Sequence, residues 1–165
     1  MTEVRGIIGS GTGKGLNGTI PSSPFPSSVN VKPSLYRAPV LDIIDERALD
    51  RECLSQSLVS HGLNMTIVLF SSIEAWMAKY SGDSSGLLIS LGSHDFTESG
   101  IEESIRMLVT KFPELPVIIL SDNHDLRQVL TALDLGIKGF IPSAVGIAVC
   151  VKAISLALSG GIFIS

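Results

Sequence analysis

From Val40 onward, short runs of apolar residues alternate with stretches in which apolar positions recur every three or four residues. The runs are Val40-Leu-Asp-Ile-Ile44, Met65-Thr-Ile-Val-Leu-Phe70, Leu87-Leu-Ile-Ser-Leu91, Val117-Ile-Ile-Leu120 and Gly139-Phe-Ile141. Each has strand length and is mostly β-branched or aliphatic, as a strand buried on both sides requires. Between them the period becomes helical. Ile73, Trp76, Met77 and Tyr80 form one stripe behind a Ser71-x-x-Glu74 capping box. Ile101, Ile105, Leu108 and Phe112 form a second, and Leu126, Val129, Leu130 and Leu133 a third. Leu54 and Leu58 anchor the first helix, which His61-Gly62 ends, and Gly160-Gly161 ends the last. Strand and helix thus alternate five times. The pattern predicts an α/β domain of (βα)5 type, a doubly wound parallel sheet with right-handed crossovers and helices on both faces.

Composition adjusts this picture at the N-terminus. The chain has 165 residues, 45% apolar, with a mean hydropathy of +0.42, which suits one domain with a generous core. Residues 1–39 differ: they hold six of the sixteen Gly and five of the eight Pro. Arg5, Lys14, Lys32 and Arg37 against Glu3 give them a charge of +3, so a total of −4 leaves −7 on the 126 residues from Val40. Pro21-Ser-Ser-Pro-Phe-Pro-Ser-Ser28 has no apolar period, and the segment reads as a disordered tail. A pI near 5.3 disfavours direct contact with nucleic acid or an anionic membrane. No run reaches the roughly 18–20 uncharged apolar residues of a membrane span, since Ala144 to Leu158 is broken by Lys152. Glu3 and the Gly/Ser/Thr-rich run from Gly9 to Gly18 stand where a signal peptide needs an apolar core, so a cytoplasmic protein is expected. Cys53 and Cys150 have neither metal nor disulfide spacing and read as core thiols.

Two places carry candidate chemistry. Gly9-Ser-Gly-Thr-Gly-Lys-Gly15 resembles a phosphate loop, but Ile8 stands where its first glycine belongs and Gly15 where a metal-binding hydroxyl belongs. No helical pattern follows to aim backbone amides at a phosphate. The second place is the carboxyl edge of the sheet, where ligands of doubly wound folds bind. Asp45-Glu46 follow the first strand there. Adjacent carboxylates can hold a hard cation such as Mg²⁺ and repel a flavin or nucleotide phosphate; equally, they favour the N-terminus of the next helix.

Ile43-Ile-Asp45-Glu46, Val117-Ile-Ile-Leu-Ser121 and the stretch from Asp125 through Gly136 and Phe140 to Ser143 together resemble the receiver domain of bacterial response regulators. Ala153-Ile-Ser-Leu-Ala-Leu-Ser-Gly-Gly-Ile162 is similar to the end of receivers in LuxR-type transcription regulators. The resemblance covers residues 40–163 and implies a flavodoxin/CheY-like sheet of strand order 2-1-3-4-5. Residues 164–165 would begin a linker, with a helix-turn-helix output domain expected beyond it. The family carries an acidic pair, a phospho-accepting Asp, a Ser or Thr, a Lys and a switch aromatic. Asp45 and Glu46 match the pair, Ser121 the hydroxyl and Phe140 the aromatic. Ser90 stands where the acceptor Asp belongs, and Ser143 where the Lys belongs.

A serine hydroxyl is a poor nucleophile without an activating base, so ordinary phosphotransfer is expected to be lost and no catalytic residue is assigned. Losing Asp and Lys together keeps the net charge that three acids and one lysine would have. A weakly bound, mostly hydrated Mg²⁺ on Asp45 and Glu46 is the one cofactor the pattern allows. His94 and Asp95, just past Ser90, read as an exposed loop pair, and His61 and His124 as helix-end residues. The last helix carries Ile147, Val149, Cys150, Val151, Ile154, Leu156 and Leu158 around most of its circumference, with Lys152 its only charge. It is expected to be either flanked by other helices or covered by a homodimer partner or a docked DNA-binding domain. The leading expectation is a phosphorylation-independent receiver. The alternatives are a Mg²⁺-dependent phosphoacceptor using an unusual residue, and a small-ligand or nucleotide-binding α/β domain.

Overall fold

The computed structural model describes residues 37–165, together with Gly15 and Gly18. The tail and almost all of the glycine-rich motif lie outside the described residues. Six parallel strands form one sheet in the order β2-β1-β3-β4-β5-β6: β1 (Val40–Ile44), β2 (Thr66–Phe70), β3 (Gly86–Gly92), β4 (Val117–Ser121), β5 (Gly139–Pro142) and β6 (Phe163–Ile164). Five helices connect them: α1 (Ala48–Ser60), α2 (Ile73–Lys79), α3 (Ser99–Lys111), α4 (Leu126–Asp134) and α5 (Ile147–Leu158). The predicted order 2-1-3-4-5 is present, extended by one strand. Phe163, the last residue of the expected domain, and Ile164, where a linker is expected to begin, pair in parallel with Gly139 and Phe140.

The continuous apolar runs resolve into two faces once the pleat separates alternate residues. Leu41, Ile43, Leu88, Ile118 and Ile141 point to one side and pack with Leu58 of α1 and with Cys150, Ala153, Ile154 and Ala157 of α5. Ile44, Leu87, Ile89, Val117, Ile119 and Phe140 point to the other, against Trp76 of α2, Ile105 and Leu108 of α3, and Val129 and Ala132 of α4. Both faces of β1, β3, β4 and β5 are therefore sealed, as a parallel sheet demands, whereas β2, at the sheet edge, leaves Val68 and Leu69 exposed despite its apolar run. Gly62 and Gly160 follow α1 and α5 with φ of +93° and +92°, the left-handed turn that stops a helix at little cost for glycine. Among the described residues, no helix is long and apolar enough to cross a membrane.

Several local expectations change. Ser72, not Ser71, caps α2, its Oγ accepting from the Ala75 N–H at 3.1 Å. The α4 stripe is rotated: Leu126 and Leu130 face solvent, while Gln128 is fully buried beside Val129 and Ala132. Its amide explains the inversion, because Oε1 accepts from the Phe96 N–H at 3.0 Å and Nε2 donates to Asp125 at 3.3 Å. A leucine there would leave a buried backbone donor unpaired. Cys150 is a core thiol, and burial raises its pKa, but Cys53 is exposed on α1.

Asp42 interrupts the first apolar run for a reason sequence alone conceals. Its carboxylate is buried under α2, where it accepts from the Trp76 indole Nε1 at 2.7 Å and from the Ser84 hydroxyl. Trp76, Tyr80 and Phe112 stack around one another with ring centroids 4.5 to 5.3 Å apart, tying α2 to the end of α3. Trp76→Phe removes both volume and the indole donor, and is expected to cost about 2–4 kcal/mol of stability. Urea unfolding followed by circular dichroism measures it.

Candidate functional site

Parallel strands place all their carboxyl ends on one edge of the sheet. Asp45 leaves β1, Ser90 lies near the end of β3, Ser121 closes β4 and Ser143 follows β5, so the predicted positions share that edge. Their surroundings differ sharply. The acidic pair splits: the Asp45 side chain is 2% exposed, that of Glu46 69%. Ser121 is buried, its Oγ accepting from the Asn123 N–H at 3.2 Å. Phe140 is fully buried, edge-on to Phe96 with centroids 6.5 Å apart. Ser143 is exposed, with its backbone N–H donating to the Ser121 carbonyl at 2.9 Å.

The group that organises this edge is Arg47, the residue after the acidic pair. Its Nε donates to Asp45 Oδ1 at 3.1 Å and its Nη2 to Oδ2 at 2.9 Å, a two-pronged grip on one carboxylate. The backbone N–H of Arg47 adds a third bond to Oδ1 at 2.9 Å. Nη2 also donates to Ser90 Oγ at 3.4 Å, and Nη1 sits 2.6 Å from Asp50 Oδ2. Arg51 Nη1 donates to the Asp45 carbonyl. The edge thus contains a positive charge that a count of acids and lysines omits, which corrects the charge balance drawn from sequence.

Gly92 makes room for this guanidinium. Its φ is +56°, and a Cβ there would stand 3.0 Å from Arg47 Cζ and 3.1 Å from both terminal nitrogens. The pairing of β3 with β4 shifts register between Ser90 and Gly92, which sets Gly92 opposite Ser121. Gly92 then accepts from the Asp122 N–H at 2.8 Å. A continuous path runs from Arg47 across the ends of β3, β4 and β5.

His94 joins the edge as well. It is exposed, as the loop position implied, yet its Nε2 reaches Glu46 Oε1 at 3.3 Å, and its Nδ1 is 3.9 Å from Glu98. Asp95 instead turns back on its own loop, accepting from the Thr97 N–H at 2.8 Å and hydroxyl at 2.6 Å. His61 Nδ1 lies 2.8 Å from the Ser57 carbonyl at the end of α1, and His124 is exposed before α4. Ser90 and Arg47 also line a cleft of about 370 Å³, together with Ile89, Ile101, Glu74 and His94.

The residues present do not fit a divalent cation. Both oxygens of Asp45 are engaged by Arg47, Glu46 projects outward to His94, and Asp50 is paired with the same guanidinium. Among the described residues, no three His, Cys, Asp or Glu side chains cluster as a metal would need. The resemblance pointed to Asp45 and Glu46, Ser90, Ser121, Phe140 and Ser143, but not to Arg47 or Gly92. The available signal was an arginine two residues after an acid at a strand end, long enough to fold back onto it.

The fold is of the flavodoxin/CheY-like class, and solved structures that resemble this chain include response regulators and their receiver domains, besides a protein from Burkholderia pseudomallei described as pilus assembly-related. A LuxR family DNA-binding response regulator from Silicibacter pomeroyi superposes with a TM-score of 0.64 at 22% identity, covering 77% of this chain and 97% of that one. A response regulator receiver protein from Pseudoalteromonas atlantica gives 0.62 at 28% identity, covering 74% and 98%. The RcsB response regulator of Salmonella typhimurium gives 0.67 at 20% identity, covering 78% and 64%. No protein-family model matches the sequence, and no curated protein does.

Burial pushes the Asp45 pKa up, but the bonds from Arg47 and the Ser90 hydroxyl outweigh it and hold the carboxyl below the usual aspartate range. The ionised form therefore stabilises the fold above the ordinary aspartate value of about 3.9, and this contribution is lost as pH falls through the lowered value. Asp45→Asn is expected to cost about 1–3 kcal/mol at neutral pH and to flatten the acid limb of the stability curve. Urea midpoints of both proteins from neutral pH downward test this. Glu74 and Asp125 are also lowered, so the variant keeps part of the slope.

Proposed function

We propose that this domain is a receiver-type signalling module that works without phosphorylation. The observation that carries the reading is Ser90: a hydroxyl occupies the acceptor position, and the Arg47 guanidinium donates to its oxygen. The carboxylate beside it, Asp45, is gripped by Arg47 and held below the usual aspartate range, so it is too weak a base to take the proton that a nucleophile must lose. His94, the nearest candidate base in sequence, reaches Glu46 instead. Ser143 supplies no positive charge where the family's Lys would steady a phosphoryl group. Fixed in one arrangement, the domain would signal in the cytosol through its contacts, by dimerising or by docking an output domain. Resemblance to LuxR-type receivers favours a helix-turn-helix output.

The surface supports a contact role at α5. Most of its apolar residues pack against the sheet and beside α1, yet Val149 is 40% exposed and Leu156 44%. A charge at either position is expected to weaken self-association or docking without unfolding the domain. Sedimentation of Val149→Glu and Leu156→Glu against the parent protein checks it, and unchanged association tells against α5 as the contact.

Phosphorylation is tested directly. Incubation with acetyl phosphate and Mg²⁺, followed by intact mass, is expected to show no added phosphoryl group. A stoichiometric gain at Ser90, or at any residue of this edge, overturns the reading in favour of an unusual phosphoacceptor.

A further inference from the structure

We propose that Arg47 is the built-in cation of this pocket: its guanidinium takes the place a divalent metal would hold between the β1 and β3 ends, and its removal opens a metal site. The proposal rests on the reading of the domain as a receiver and goes beyond loss of phosphorylation. It assigns the pocket an occupant.

Four observations converge on one side chain. The guanidinium takes both oxygens of Asp45, the buried carboxylate of the edge. It reaches Ser90 with the same nitrogen and Asp50 with another, so β1, the start of α1 and the end of β3 meet on a single cation. Gly92 is cut to fit it, since any Cβ would press on its central carbon and both terminal nitrogens. Arg51 holds the Asp45 carbonyl from the next turn, fixing the loop on which the carboxylate sits. Arginine suits this role better than lysine because its planar fork satisfies two carboxylate oxygens at once and stays charged at any physiological pH.

A tethered cation differs from a bound one in effective concentration. A free Mg²⁺ must shed water and pay for its own localisation, whereas Arg47 is delivered by the chain two residues from its partner. Metal at millimolar concentration therefore does not displace it. Without it, Asp45 and Asp50, both held by the one guanidinium, lose their shared counter-charge, enough for a weak, largely hydrated cation.

Mn²⁺ titration of the full chain, followed by paramagnetic line broadening of backbone amides, tests this. The parent protein is expected to show no selective broadening at Asp45, Ser90 or Gly92. Arg47→Ala is expected to bind Mn²⁺ there at least about tenfold more tightly, and Arg47→Ala with Ser90→Asp, which adds a third carboxylate, about tenfold more again. Arg47→Gln, which keeps polar contact without charge, serves should the alanine variant unfold and is expected to show the same gain. Gly92→Ala, which crowds the guanidinium out, is expected to show a smaller gain in the same direction. Selective binding by the parent protein as tight as by the variants overturns the proposal, as does a folded charge-removed variant that gains nothing. Phosphoryl transfer to the parent protein would instead overturn the functional reading and leave the metal titration to decide this one.

Discussion

A parallel sheet ends all its strands on one edge, and the rest of this structure follows from that constraint. Every β-strand must be carried back by a helix, so both faces are covered and the strands are apolar throughout. Chemistry is thereby confined to the loops that leave the carboxyl ends. Asp45, Ser90, Ser121 and Ser143, scattered over nearly a hundred residues of chain, meet along that edge. Backbone bonds from Asp122 to Gly92 and from Ser143 to Ser121 stitch neighbouring strand ends together there.

Within that edge, the energetic problem is a buried carboxylate. Taking Asp45 out of water is costly, and its ionised form persists only because a guanidinium, a backbone N–H and a serine hydroxyl surround it. The compensation is local in sequence but joins distant strands. Removing Arg47 would leave the Asp45 charge buried and poorly compensated, whereas Arg47 is half exposed and keeps its water, so the pair is best understood as a specification of loop geometry rather than as a reservoir of stability. Asp42 solves the same problem differently, beneath α2, with an indole and a hydroxyl as donors.

Strand and helix identities were legible because they follow from periodicity, and β1 falls where its apolar run lies. The edges of elements were less so. Ser71 and Ser72 are equivalent as letters, and only the path of the chain leaving β2 decides which one caps α2. The α4 face was misjudged because Leu126 and Leu130 are apolar, while burial there is decided by the hydrogen bonds that Gln128 supplies to another segment. The resemblance marks Asp45, Glu46, Ser90, Ser121, Phe140 and Ser143, and the parallel order of the strands is what brings Asp45, Ser90, Ser121 and Ser143 to one edge. The electrostatics of that edge were not legible. Arg47 stood in plain view beside the acidic pair, but a side chain's direction is set in three dimensions, by a bulge in β3 and a glycine without a Cβ.

The burial of Trp76 has a use beyond packing. It is the sole tryptophan of the chain, wholly enclosed and bonded to a carboxylate on the far side of α2 from solvent. The protein therefore carries an intrinsic fluorophore in the α2 and α3 layer, sensitive to the loosening of that layer and free of interference from any second indole.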